Sequence, residues 1–243
     1  MLSTFISCQE EWHIADYPGR VIRCRFAPRH YHDELFFAAG LYFPPTLRSA
    51  SPKRKAEFLA GRYLVKHLLD ALGIEYFTLL NGEDRAPRWP AGIAGSISHN
   101  VDTALCAVHV NNGHHGVGLD VETLLTDESA VSLWPAIVNP QEYAWLERQP
   151  AALSVLLTLT FSAKESLFKA LYPQSGRYFD FLDACMVSVD LTAQRFELAL
   201  TTTLNAAYPA GRRFSGRFII NDNNLTTFIY SAPDLPGSCA QRK

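Results

Sequence analysis

The chain has 243 residues, of which 48% are hydrophobic and 19% charged, with 22 Lys and Arg set against 24 Asp and Glu. That length suits one large domain or two smaller ones, burying roughly 70–75% of the surface the unfolded chain exposes, with no need of a disulfide or metal staple. Fourteen Gly, fourteen Pro and 12% aromatics exclude collagen-like, coiled-coil and disordered classes, and a formal charge of −2 argues against a general nucleic-acid coat. The cysteines Cys8, Cys24, Cys106, Cys185 and Cys239 are scattered with no CxxC pair, so neither a disulfide framework nor a structural zinc site is expected. The first twenty residues are too acidic and too briefly apolar for a signal peptide. The apolar stretch around 151–161 is far short of a membrane span, which makes the cytoplasm the expected location.

Residues 1–50 read as short strands and loops, punctuated by turns at Tyr17-Pro18-Gly19 and Pro44-Pro45. A helix starts at Ser51-Pro52, a cap followed by proline at its first position, and stops at Gly73. Its apolar residues Phe58, Leu59, Leu64, Val65, Leu68, Leu69 and Leu72 recur at helical spacing. Its other face is basic, with Lys53, Arg54, Lys55, Arg62 and Lys66 opposed only by Glu57. Residues 81–95 form a Pro/Gly-punctuated loop, and 96–100 lead into a buried strand over 103–110. After a turn at 111–113, the segment GVGLDVE is a second strand. Helices follow over 140–149 and 151–171, the latter stopped by Pro173. Strands over 184–190, 196–202, 214–220 and 226–230 alternate with turns, and a Pro/Gly/Ser-rich tail frays from Ala232.

Asp120 and Glu122 stand two apart on a strand, so their side chains share a face and offer oxygen ligands to a hard cation such as Mg²⁺. By spacing alone, a solvated acidic strand end accounts for them more simply. Glu165 and Lys169 are four apart on the second long helix, where a surface ion pair is the plain account. A carboxylate there can also complete a cation shell, with Lys164 and Lys169 offsetting phosphate charge. Ser96, Ser98 and His99 in GSISHN suit either a turn, a phosphate site or a nucleophile with its base, although the GxSxG elbow of a hydrolase is absent. The other histidines have no ligand-like companions.

In this order, FLAGRYLVKHLL (58–69), APRWPAGIAGSISHN (86–100), GVGLDVE (116–122) and FSAKESLFKAL (161–171) resemble the 4′-phosphopantetheinyl transferases of the Sfp type, most closely the EntD branch associated with siderophore synthetases. The resemblance implies an α+β pseudo-dimer of two similar halves, each a small antiparallel sheet packed on a long helix, with coenzyme A in the cleft between them. The halves are expected at 1–113, the side of the 3′-phosphate and adenine, and 114–231, the side of the metal, followed by the tail 232–243. It implies Mg²⁺-dependent transfer of 4′-phosphopantetheine from coenzyme A to a serine of an apo carrier protein, releasing adenosine 3′,5′-bisphosphate. Carried over by position, Asp120, Glu122 and Glu165 match the acidic metal site. Asp120, Glu165 and Lys169 match the catalytic centre. Lys164, Lys169, Ser98 and His99 match the contacts to phosphates. Arg54 and Arg62 match the pair that holds the 3′-phosphate end, with Arg85 or Arg88 adding a basic residue from the loop. The implied partners are coenzyme A and carrier domains of a peptide synthetase, met through residues 124–143 by a monomer with no nucleic acid and no membrane segment. Two other readings stay open on the residues themselves: a Mg²⁺-dependent hydrolase acting on a nucleotide, and a non-catalytic carrier-binding module.

Overall fold

The structure is a computed structural model that describes residues 2–111 and 116–231. The chain divides into two units, Met1–Asn111 and Asn112–Lys243. The turn at 111–113 falls partly, and the tail from Ala232 wholly, outside the described residues.

The first unit opens with a single helical turn, α1 (Leu2–Phe5), and two strands, β1 (Ile6–Trp12) and β2 (Arg20–Phe26). A short α2 (Glu34–Ala38) precedes the long α3 (Pro52–Ala71), and β3 (Ile93–His99) and β4 (Thr103–Val110) close the unit. The strands form an antiparallel sheet of order β1-β2-β4-β3. Ser51 caps α3 as expected, its side chain accepting from the Arg54 N–H, and Gly73 leaves the helix at φ +74°. The register Ile22↔Cys106 and Cys24↔Ala104 puts these four small or apolar side chains on one face of the sheet. Ala56, Leu59, Ala60, Leu64 and Leu68 of α3 join them in the core.

The second unit begins with β5 (Gly116–Thr123), followed by α4 (Asp127–Ile137), α5 (Pro140–Leu146) and the 23-residue α6 (Leu153–Ser175). Four strands complete it: β6 (Ala184–Asp190), β7 (Arg195–Leu200), β8 (Arg213–Asn221) and β9 (Asn224–Ser231). Their antiparallel order is β5-β9-β8-β7-β6, so the first strand of the unit pairs with the last. Leu159, Ala163, Leu167 and Leu171 of α6 pack with Met186, Leu198, Leu225 and Ile229 of the sheet. The architecture is α+β, with each unit built from one antiparallel sheet and one long helix.

Two expectations need correction, and one helix is not among the expected elements. The stretch 93–99 is a strand rather than the end of a loop; Gly95 hides it, because the Trp89 ring lies where a side chain would stand. Residues 127–137 are helical despite Pro135, with Thr126 accepting from the Ser129 N–H at the cap. The long helix passes through Pro173 and ends at Gly176, φ +61°, whose N–H bonds the Tyr172 carbonyl. In the last turn Pro173 forfeits only one intrahelical hydrogen bond, so it does not stop the helix.

The contact of β5 with α6 is unusually close. A Cβ on Gly116 would collide with the Ala170 carbonyl, and one on Gly118 with the Ser166 carbonyl. Gly116→Ala is therefore expected to destabilise the fold by about 1–3 kcal/mol, since a rigid backbone must give way. Differential scanning calorimetry reads this as a melting temperature several degrees lower, and an unchanged midpoint would contradict the close approach.

Candidate active site

Alternation along β5 sends Gly116, Gly118, Asp120 and Glu122 to one face. Because the two glycines seat the strand on α6, the carboxylates that follow are held against that helix. Ser162, Ser166 and Ala170, four apart along α6, keep the approach open. The two serine hydroxyls bond Thr227 of β9, at 2.9 and 2.7 Å, and Thr227 is the register partner of Asp120. The next edge of α6 carries Glu165 and Lys169. Lys169 Nζ lies 2.7 Å from Asp120 Oδ1 and also donates to the Leu119 carbonyl at 3.2 Å. Asp120 is 3% exposed, and its Oδ2 is buried without a hydrogen-bond donor.

These acids influence one another. Burial, reinforced by the charges of Asp120 and Glu165, pushes the Glu122 carboxyl up to about 7. Burial likewise raises Glu165; the Asp120 charge adds to the rise and Lys169 opposes it. Three carboxylates against one nearby ammonium leave an excess of negative charge, built from the oxygen donors a hard divalent cation takes. Among the described residues no three His, Cys, Asp or Glu side chains converge as a closed metal cage. The donor set nonetheless fits Mg²⁺, which is held by one or two protein carboxylates and completes its shell with phosphate and water. Beside Glu165 a slot of about 110 Å³ runs between α6 and residues 178–181, walled by Phe168, Tyr178, Phe179 and Phe181.

Lys164, expected among the phosphate contacts, lies buried within the second unit. It is 3% exposed, and its Nζ donates to Glu142 Oε2 at 2.7 Å and to the Ile137 carbonyl at 2.9 Å. A residue 100° around the helix from Glu165 faces a different neighbour, and here that neighbour is the α4–α5 side of the unit.

In the first unit, Arg54 of α3 donates from Nη1 to His99 Nε2 at 2.9 Å, and Glu57 Oε2 lies 3.6 Å from the guanidinium and 3.8 Å from His99 Nδ1. Arg54 and His99 thus meet each other and a single acid. Ser98 precedes His99 on β3 and is buried on the opposite face of the sheet, so the two side chains diverge. Arg62 has partners of its own, although the charge of Arg54 still reaches it. It donates to the Leu79 carbonyl at 3.0 Å and to Asn81 Oδ1 at 2.5 Å, stacks over Phe58, and lines a cavity of about 340 Å³. Burial lowers its guanidinium to about 10. Arg85 is exposed at a left-handed loop position, φ +66°, whereas Arg88 pairs with Asp84 at 3.2 Å.

Comparison with known proteins finds matches for both units. A family model described as the 4′-phosphopantetheinyl transferase N-terminal domain matches residues 43–109, and one for the 4′-phosphopantetheinyl transferase superfamily matches residues 116–215. The chain is 35% identical over 190 residues to enterobactin synthase component D of Salmonella typhimurium, covering 78% of this chain and 77% of that protein. It is 38% identical over 209 residues to the component D of Salmonella austin, covering 85% and 83%. With 4′-phosphopantetheinyl transferase Npt of Nocardia iowensis the identity is 30% over 185 residues, covering 73% and 82%. The chain belongs to the 4′-phosphopantetheinyl transferase superfamily, in its enterobactin synthase component D-like branch.

Three features of this transferase escape a reading of its sequence. Glu142 sits in an ordinary helix start, and nothing local marks it as the partner of Lys164, 22 residues away. Glu57, an apparent lone acid on a basic face, joins Arg54 to His99. Phe168 has the spacing of a core residue yet forms a wall of the slot beside Glu165.

The raised Glu122 carboxyl has a measurable consequence. In the native state it holds its proton up to about pH 7, whereas the unfolded chain releases it near its ordinary value of 4.5. Native stability therefore falls as pH rises across that window. Glu122→Gln removes this contribution. In metal-free buffer its melting temperature should exceed the parent's by a margin that widens from pH 5 to pH 8. A constant margin would show that Glu122 titrates normally.

Proposed function

We propose that this transferase moves 4′-phosphopantetheine from coenzyme A to a serine hydroxyl of an apo carrier domain, with Mg²⁺, in the assembly of a siderophore peptide. The serine oxygen forms a bond to the phosphorus that carries pantetheine, the pyrophosphate bond breaks, and adenosine 3′,5′-bisphosphate leaves. The observation that carries this reading is the set of Asp120, Glu122, Glu165 and Lys169 on the seam of β5 and α6. The siderophore assignment draws on the names of the relatives alone.

Asp120, Glu122 and Glu165 are the side chains that would hold Mg²⁺, which when bound supplies charge neutralisation at the pyrophosphate. Lys169, already drawn to Asp120, places an ammonium where phosphate oxygens gain charge. Glu165, beside the slot, is the acceptor of the serine proton, directly or through water. The narrow aromatic slot suits the slender pantetheine arm. Arg54 with His99, Arg62, Ser98 and Arg85 are assigned to the phosphates and nucleotide of coenzyme A. No nucleophile from this chain is required, which accounts for the missing GxSxG elbow.

Incubation with coenzyme A, Mg²⁺ and a panel of apo carrier domains should give carriers heavier by one phosphopantetheine in intact-protein mass spectra. Breakdown of coenzyme A with no gain in carrier mass would instead identify a hydrolase. Asp120→Ala or Glu165→Ala should lower the transfer rate at least about a hundredfold in a folded protein. Near-normal turnover in either would remove that residue from the centre. Arg62→Ala should weaken coenzyme A about 10- to 150-fold while leaving dephospho-coenzyme A nearly unchanged, since a lost charge-assisted contact costs about 1.5–3 kcal/mol. Calorimetric titration of both ligands decides it, and equal weakening of the two would show that Arg62 does not read the 3′-phosphate.

A further inference from the structure

The pair made by Glu142 and Lys164 satisfies more than itself. Lys164 donates to the carbonyl of Ile137, the last residue of α4, a group that a helix terminus leaves without an intrahelical partner. Glu142 Oε1 accepts the backbone N–H of Met186 at 2.7 Å, on the edge strand β6 where its register with β7 shifts. Asn139 Oδ1 in turn accepts the Glu142 N–H at 2.8 Å and fixes the first turn of α5. One buried ion pair therefore ties α4, α5 and β6 to α6 at residue 164, one position before Glu165. Lys164 also borders the slot in which Glu165 stands.

Removing two charges from water is costly, and a well-packed apolar pair would hold these elements about as firmly. Unlike an apolar pair, this one also makes directional bonds to the Ile137 carbonyl and the Met186 N–H, which favour one rotation of the helix. We propose that Glu142 and Lys164 are positioning residues for the transfer reaction, setting the rotation of α6 that presents Glu165 and the slot, and that Lys164 touches no phosphate. This rests on the transferase reading and assigns its machinery a support of its own.

The test compares Glu142→Gln, Lys164→Gln, the double variant and Glu142→Asp, each well below its own melting temperature. The turnover rate and the coenzyme A dissociation constant are measured separately. Glu142→Gln removes nothing from the assigned coenzyme A contacts, yet its turnover should fall about 10- to 100-fold, the usual cost of losing a group that orients a functional side chain. Its coenzyme A affinity should stay within about threefold, and the double variant should be no slower than the slower single one. Glu142→Asp keeps the charge but shortens its reach, and should show the same loss of turnover with intact binding if the neutral variants fail to fold. The inference is overturned if Glu142→Gln or Glu142→Asp turns over within threefold of the parent. It is also overturned if Lys164→Gln weakens coenzyme A tenfold or more, the mark of a phosphate contact. Failure of the transferase reading looks different, because the parent protein then transfers nothing to any carrier.

Discussion

The second unit depends on one contact, the backbone of β5 lying directly on the backbone of α6. Two glycines remove the side chains that would hold strand and helix apart, and the Ser162, Ser166 and Ala170 positions do the same from the helix. Such an approach leaves no room for apolar filling, so hydroxyl bonds to Thr227 replace it under the strand. From that seating the rest follows in sequence order. The strand's next two positions on the same face are carboxylates, and the helix's next edge carries a carboxylate and an ammonium. The motifs on β5 and α6 are thus two halves of one joint.

Placing acids at such a joint is electrostatically unfavourable, and the protein answers in two ways. At the joint itself Lys169 lies on Asp120, while Glu122 and Glu165 keep a raised affinity for protons. One face further round α6, Lys164 and Glu142 settle their charges against each other and against two backbone groups. The two lysines of the same motif therefore have different surroundings. Lys169 stands at the acidic edge, whereas Lys164 is buried against Glu142.

Much of this was legible from the residues. The cap at Ser51, the basic face of α3 and the strands around Val108 and Leu198 follow from local chemistry, and the motif resemblance named the superfamily that the comparisons then showed. Some of it was not legible, for identifiable reasons. The helix at 127–137 carries a proline, and the strand at 93–99 carries a glycine whose side-chain space belongs to Trp89, so both break the usual local signals. Lys164 looked like Lys169 because they share a motif; only the position of Glu142, fixed by α5 and β6, distinguishes them. Ser98 and His99 are adjacent in sequence yet face opposite sides of a sheet, which the unassigned strand concealed.

The central claim is that the seating of β5 on α6 builds the acidic site. Gly118→Ala tests it most directly, because it retains every oxygen donor and disturbs only the seating. Binding of Mn²⁺ in the presence of coenzyme A, followed by electron paramagnetic resonance, should show a bound ion in the parent. That binding should be lost both in Asp120→Asn and in Gly118→Ala while circular dichroism reports folded protein. Parent-like Mn²⁺ binding by Gly118→Ala would contradict the account.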